Sequence, residues 1–355
     1  MHKYSPVFPA ATQIIIIALC ASHFLVGCMT ASAAAGQRAA DSRKPVIIDT
    51  DVGSDFDDSV AIMLALQNDE LDVKLIVTAT NDTTARARIV AKYLLATNRT
   101  DVPIGIGLAV NNCRQTLFSW ADDISLDSYQ KDHGGVVHED GVQSMYDVIK
   151  ASAVPVTIVA IAPATNFPAL LKRYPDAVHR ASVVAMSGSL YRGYGNSSQP
   201  AAEYNVWQCA VCSRQMYTAG WALTTTPLDT CGVARMYADS FDLVLGGLGP
   251  YSTILLASWI RWCSESGSSA CSLAPLITDV FYDAVAVTLA TSQGAKFMDI
   301  EARKVVVTDD GHTVISESGT EIQAALNWHE GGTGLSAFQM WLGGQLAKNS
   351  ASSLP

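Results

Sequence analysis

The chain is poor in positive charge. Its 355 residues carry 23 Lys and Arg against 33 Asp and Glu, for a net charge of −10. A face basic enough to neutralise phosphates is therefore not expected, and nucleic acid is excluded as a partner. Internal repeats and low-complexity tracts are also missing. A composition that is 49% hydrophobic and only 16% charged excludes disorder and coiled coil. Long apolar runs are scarce too. The longest, Ile14 to Val26, is shorter than the ~20 residues a membrane-spanning helix needs, so no transmembrane span is expected. What the sequence does have is length for one large α/β domain with a sizeable core.

The Ile14–Val26 run has the length of a signal-peptide core. Two processing sites follow it. Ala31-Ser32-Ala33 offers a small-x-small cleavage site for a secreted protein, whereas Leu25-Val26-Gly27-Cys28 resembles a bacterial lipobox that would leave Cys28 lipidated on the periplasmic side. The expected organisation is a leader over 1–33, a short linker over 34–44 and one catalytic domain over 45–355. Beyond the leader lie Cys113, Cys209, Cys212, Cys231, Cys263 and Cys271, an even count that permits disulfides in an exported chain. Cys263 and Cys271 are close enough to close a short loop. Cys209 and Cys212 have half of a zinc-site spacing, but no matching second pair follows, and a helix with buried thiols over Asn205–Tyr217 is the simpler expectation.

From Pro45 onward, apolar strand patterns alternate with helical ones. Strands are expected over Pro45–Asp49, Val73–Ala79, Val102–Ile106, Val156–Ile161, Ser182–Met186 and Trp221–Thr226. Helices are expected over Asp57–Gln67, Thr84–Thr97 and Thr165–Arg173, with a β-hairpin over Val305–Glu317 turning at Asp309-Asp310-Gly311. Solidly apolar strands alternating with helices imply an α/β fold: an open, mostly parallel sheet with helices on both faces. Sites in such sheets form beyond the carboxyl ends of the strands. The first strand leads there into Asp49-Thr50-Asp51-Val52-Gly53-Ser54-Asp55-Phe56-Asp57-Asp58, five carboxylates in ten residues. Carboxylates this close repel one another, and a hard cation such as Ca²⁺ or Mg²⁺ relieves the conflict. The spacing is not an EF-hand, because the twelfth position counted from Asp49 is Val60 rather than Glu.

This aspartate run resembles the signature of the nucleoside hydrolases, the ribonucleoside N-glycosidases of the inosine-uridine type. Further blocks follow in that family's order: Thr80-Asn81, Asp101-Val102-Pro103-Ile104, His138-Glu139-Asp140-Gly141, Ala162-Pro163-Ala164-Thr165-Asn166, Gly195-Asn196, Ala202-Glu203-Tyr204-Asn205, Pro227-Leu228-Asp229-Thr230 and Tyr282-Asp283-Ala284. The resemblance spans roughly Pro45 to Leu289. It implies the nucleoside hydrolase fold and one Ca²⁺ held by Asp51, Asp58, the Thr165 carbonyl and Asp283. It implies Asp51 as general base on a Ca²⁺-bound water, and Asp57, Asn196, Glu203 and Asn205 on the ribose hydroxyls. Asn81 and His138 would be further substrate contacts. Dimers or tetramers are implied as well.

Three departures from the family pattern stand out. Two residues are inserted before Asp57, which leaves Asp55 as a rival for the role of either Asp57 or Asp58. Thr80 replaces a glycine. Tyr282 stands where the family often has a histidine that protonates the leaving base; its phenol, with a pKa near ~10, can still donate a hydrogen bond. Two other functions fit parts of the sequence. A degenerate hydrolase would bind ribose, nucleoside or Ca²⁺ without turnover. A haloacid-dehalogenase-like phosphatase would use Asp49-x-Asp51 with Mg²⁺ and Asp49 as nucleophile, but the downstream blocks go unexplained.

Overall fold

The computed structural model describes residues 43–110, 118–273 and 277–348. The expected leader and linker, apart from Arg43 and Lys44, lie outside the described residues, as does Cys113.

Among the described residues ten strands form one sheet: β1 (Lys44–Thr50), β2 (Leu71–Thr78), β3 (Ile104–Gly105), β4 (Val137–His138), β5 (Val156–Ala160), β6 (Ala181–Met186), β7 (Leu223–Thr226), β8 (Met298–Val307), β9 (Thr313–Ile315) and β10 (Thr320–Trp328). Their order is β4-β3-β2-β1-β5-β6-β7-β10-β8-β9. Every pairing from β4 across to β10 is parallel, and the β10–β8 and β8–β9 pairings are antiparallel. The α/β reading from sequence thus holds, and so does the hairpin, which is the β8–β9 pair. Strand β10, which joins that hairpin to the parallel sheet, was not anticipated.

Side chains alternate between the two faces, as a strand requires. Val46 and Ile48 enter one hydrophobic core and Ile47 the other. Helices Asp57–Gln67, Thr83–Ala96, Pro250–Ser266, Tyr282–Leu289 and Thr333–Ala347 cover the first face. Helices Gly141–Ala151, Phe167–Arg173 and Ala210–Thr218 cover the second. Both faces being covered explains why the central strands read as unbroken apolar runs.

Helix Asp57–Gln67 has the limits expected from sequence and is buried on all sides except at Gln67. The two-residue insertion before it has a packing role. Phe56 is buried against Trp259, Trp262 and Phe281, with ring centroids 4.8, 6.1 and 6.1 Å away. This residue pins the end of the acidic loop to the core. The expected continuous helix over Asn205–Tyr217 is instead two helices, Tyr204–Gln208 and Ala210–Thr218, broken at Cys209 with φ −149°. Cys209 and Cys212 form a disulfide across the break, so the expectation of buried free thiols is corrected. Cys263 and Cys271 are joined as expected. Among the described residues Cys231 alone is a free cysteine, and it is buried.

Candidate active site

Strand order reverses between β1 and β5, where the crossovers on either side move apart and leave a crevice. A cavity of about 430 Å³ opens there. Its lining includes Asp51, Asp55, Asp57 and Asp58 after β1, Ile161 after β5, Met186 at the end of β6, and Tyr282 and Asp283. Tyr194, Glu203, Tyr204, Asn205 and Trp207 complete one wall.

The floor is built by two helix N-termini. Asp57 and Asp58 open one helix and Tyr282 and Asp283 open the other. The positive ends of both helix dipoles face the carboxylates, which offsets part of their repulsion. One oxygen from each of Asp57, Asp58 and Asp283 lies within 4.8 Å of the others, and all three residues are buried. Burial first, then the neighbouring carboxylates, push their pKa values well above the usual carboxylate range. The Thr50 hydroxyl donates to Asp58 at 2.5 Å. Exposed Asp55 accepts from the Phe56 N–H at 2.8 Å, so it sits at the rim and Asp57 and Asp58 on the floor.

Arg86 is the cation behind this loop, and the sequence reading did not single it out. It is fully buried. Its guanidinium donates to the carbonyls of Asp51, Val52 and Thr80 and to the hydroxyls of Ser54 and Thr80. It also approaches the Asp51 carboxylate to 4.0 Å. Within the Thr83–Ala96 helix, Arg86 shares a stripe with Ile89, Val90 and Tyr93, all buried. A charge on an apolar stripe is the signal that marks it in the sequence. Gly53, with φ 105°, lets the loop turn around the guanidinium, a conformation open to glycine at little cost. Thr80 and Asn81 both have positive φ, 61° and 51°, so the position where the family carries glycine is held here by a strained threonine.

Asp49 is buried beneath the loop. Asn166 donates to its Oδ1 at 2.8 Å, and burial raises its pKa to about 7. Such an anchored, buried carboxyl is poorly placed as an exposed phosphatase nucleophile. The Glu203 carboxylate accepts the N–H groups of Gly188, Asn205 and Val206 at 3.1, 2.8 and 3.2 Å, while burial raises its pKa to about 7. Gly188 has φ 93°, and a Cβ there would meet the Thr313 hydroxyl at 2.9 Å. Asn205 donates to the Met186 carbonyl at 3.1 Å. Asp229 accepts from the Leu190 and Tyr191 N–H groups and holds the same loop from outside the cavity.

The structure therefore brings Asp51, Asp57, Asp58, Glu203, Asn205, Tyr282 and Asp283 to one cavity. Thr165, Asn81, His138 and Asn196 lie outside its lining. Thr165 is buried after β5 next to Asn166. His138 is exposed at the end of edge strand β4, and Asn196 is exposed two residues beyond Tyr194. Asp140, in the block that contains His138, caps helix Gly141–Ala151 and pairs with Arg173 at 2.7 Å. Trp207 is 58% exposed and lines the cavity.

The donor set suits a hard cation, since carboxylate oxygens are the ligands Ca²⁺ and Mg²⁺ prefer. Two more buried oxygens, Asp49 Oδ2 and Thr165 Oγ1, have no hydrogen-bond partner among the described residues.

The family model described as inosine-uridine preferring nucleoside hydrolase matches residues 46–333. The pyrimidine-specific ribonucleoside hydrolase RihA of Escherichia coli O139:H28 is 30% identical over 220 residues, covering 59% of this chain and 68% of that protein. The solved purine-preferring ribonucleoside hydrolase from Gardnerella vaginalis superposes with TM-score 0.66 at 18% identity, over 86% of this chain and 99% of that one. An inosine-guanosine nucleoside hydrolase superposes with TM-score 0.67 at 18% identity, over the same shares. At these identities the superpositions show a shared fold.

Proposed function

Because the chain belongs to the inosine-uridine preferring nucleoside hydrolase family, we propose that its cavity hydrolyses ribonucleosides to ribose and free base in a Ca²⁺-dependent reaction with Asp51 as general base. The family places it among the hydrolases of N-glycosidic bonds. The observation that carries the finer reading is the buried Asp57–Asp58–Asp283 cluster beside Asp51 on the floor of one cavity. Asp58 and Asp283, with Asp51 and the Thr165 carbonyl, would hold the ion. When bound, Ca²⁺ supplies positive charge that keeps these carboxylates ionised and makes a neighbouring water more acidic.

The chain's own groups then divide the work. Asp51 takes the proton of the attacking water, with Arg86 fixing the backbone that carries it. Asp57, Glu203 and Asn205 face the ribose hydroxyls. Each carboxylate oxygen has two lone pairs, so Glu203 can accept from a hydroxyl while bonded to backbone N–H groups. As the C1′–N bond lengthens, positive charge grows on the sugar, and the surrounding carboxylates stabilise it. Tyr282 stands on the leaving-base side, where its phenol donates a hydrogen bond.

Replacing Asp51 with Asn tests the reading. Turnover should fall by roughly 10²–10⁴-fold, the usual contribution of a positioned base, while nucleoside binding persists. A wild-type protein that binds ribonucleosides and Ca²⁺ but releases no ribose would favour the degenerate binding protein instead.

We also propose that residues 1–33 are removed on export. Among the described residues no single helix is long and apolar enough to cross a membrane. Sequencing the amino terminus of the exported protein distinguishes cleavage after Ala33 from a lipidated Cys28.

A further inference from the structure

One wall of the cavity is aromatic and offers phenols, which are weak acids, where a departing base would need a proton. Trp207 and Tyr194 are 58% and 41% exposed and line the cavity together with Tyr204 and Tyr282. The Tyr194 and Tyr282 rings meet edge to face, with centroids 6.2 Å apart and planes at 77°. The Tyr194 hydroxyl accepts the Tyr204 N–H at 2.8 Å, which fixes that ring against the Glu203–Trp207 segment. Among the described lining residues there are six carboxylates and no Lys, Arg or His. The chain has seven histidines: His2 and His23 precede the described residues, and His133, His138, His179, His312 and His329 all lie outside the lining. No basic side chain among the described lining residues opposes a cationic ligand. Ring faces add attraction for a flat cation, and tryptophan provides the strongest such face.

A neutral nucleobase leaves as an anion unless it is protonated. A base with positive charge already in the ring bonded to C1′ leaves neutral and needs no acid. We propose that the preferred substrates of this cavity are ribonucleosides with a cationic base, such as N7-alkylated purine or pyridinium ribosides, bound against Trp207, Tyr194 and Tyr282. This rests on the hydrolase reading above and names its substrate class. The step balances without any further reactant. The water oxygen bonds to C1′, its proton goes to Asp51, the C1′–N bond breaks, and its electron pair cancels the charge of the departing ring.

Two measurements with the full chain in Ca²⁺ test it. The first compares kcat/KM for 7-methylguanosine and guanosine, with their uncatalysed rates measured alongside. The rate enhancement for the cationic member should be at least tenfold the larger, and Trp207→Leu should shrink that ratio at least tenfold. The second compares inhibition of uridine hydrolysis by N1-methylnicotinamide and by neutral nicotinamide. The cation should inhibit at a concentration at least tenfold lower, and Trp207→Leu should erase the difference. Hydrolysis of guanosine and uridine without preference for either cation overturns this inference and leaves the hydrolase reading standing. Release of ribose from none of these substrates overturns both.

Discussion

Single residues decide whether the acidic loop holds its shape. Arg86 donates to three carbonyls and two hydroxyls in a fully buried setting. Removing one member of such a network leaves buried polar groups without partners. Arg86→Met should cost about 3–5 kcal/mol of stability, read from denaturant unfolding. Arg86→Lys should not restore it, since an ammonium lacks the planar fork that reaches several acceptors at once. Phe56 acts on the other side of the loop. Phe56→Ala should lower stability by about 3–5 kcal/mol, and it should weaken metal binding as well, because Asp57 and Asp58 follow directly. A variant that lost stability with unchanged metal affinity would show that the anchor and the site are independent. These residues also mark where sequence reading stopped. The carboxylates were legible because five of them follow an apolar strand. Phe56 looked like an interruption of the family spacing, and its role became visible only with Trp259, Trp262 and Phe281, more than 200 positions away in the chain.

At the scale of elements, the site depends on two helices arriving from distant parts of the sequence. Helix Asp57–Gln67 was legible with its limits, because carboxylates in a first turn followed by a solid apolar run are a local signal. Helix Tyr282–Leu289 carries Asp283 to the same point. Its place in the site came from the family resemblance, since no local pattern says that residue 283 meets residue 57. Asp283→Asn should therefore lower Ca²⁺ affinity without unfolding the chain, with calorimetric titration as the readout. Unchanged affinity would remove helix Tyr282–Leu289 from the metal site. The break at Cys209 was missed because the pattern over Asn205–Tyr217 is helical on both sides of it, and the Cys209–Cys212 bond interrupts the helix there. That break is what leaves Glu203 to Trp207 as a short separate element beside the cavity. Strand β10 was missed because its place in the sheet depends on pairing with β7 and β8, which a single strand's pattern does not reveal.

The whole molecule carries a charge conflict that shows in its stability. Burial raises the carboxyls of Asp49 and Glu203 to about 7, and those of Asp57, Asp58 and Asp283 rise well above the usual range. Without metal, the folded chain holds more protons than the unfolded chain between the ordinary carboxylate range near ~4 and these raised values. Stability then falls as pH rises through that window. The proposed Ca²⁺, once bound, would take the place of those protons and favour the folded state by mass action. The melting temperature should thus differ little between Ca²⁺-loaded and chelated protein at pH 5, and increasingly from pH 5 to 7.5. A gap independent of pH would mean that the buried carboxyls are not where the ion binds.

The central claim is that one acidic cavity breaks N-glycosidic bonds with the help of Ca²⁺. Ribose release from inosine, adenosine, uridine and cytidine, measured with Ca²⁺ and again after chelation, tests it most directly. The account predicts turnover of at least one of these ribonucleosides that disappears on chelation and returns when Ca²⁺ is restored. Folded, Ca²⁺-loaded protein that releases no ribose from any of them, or turnover indifferent to chelation, would contradict it.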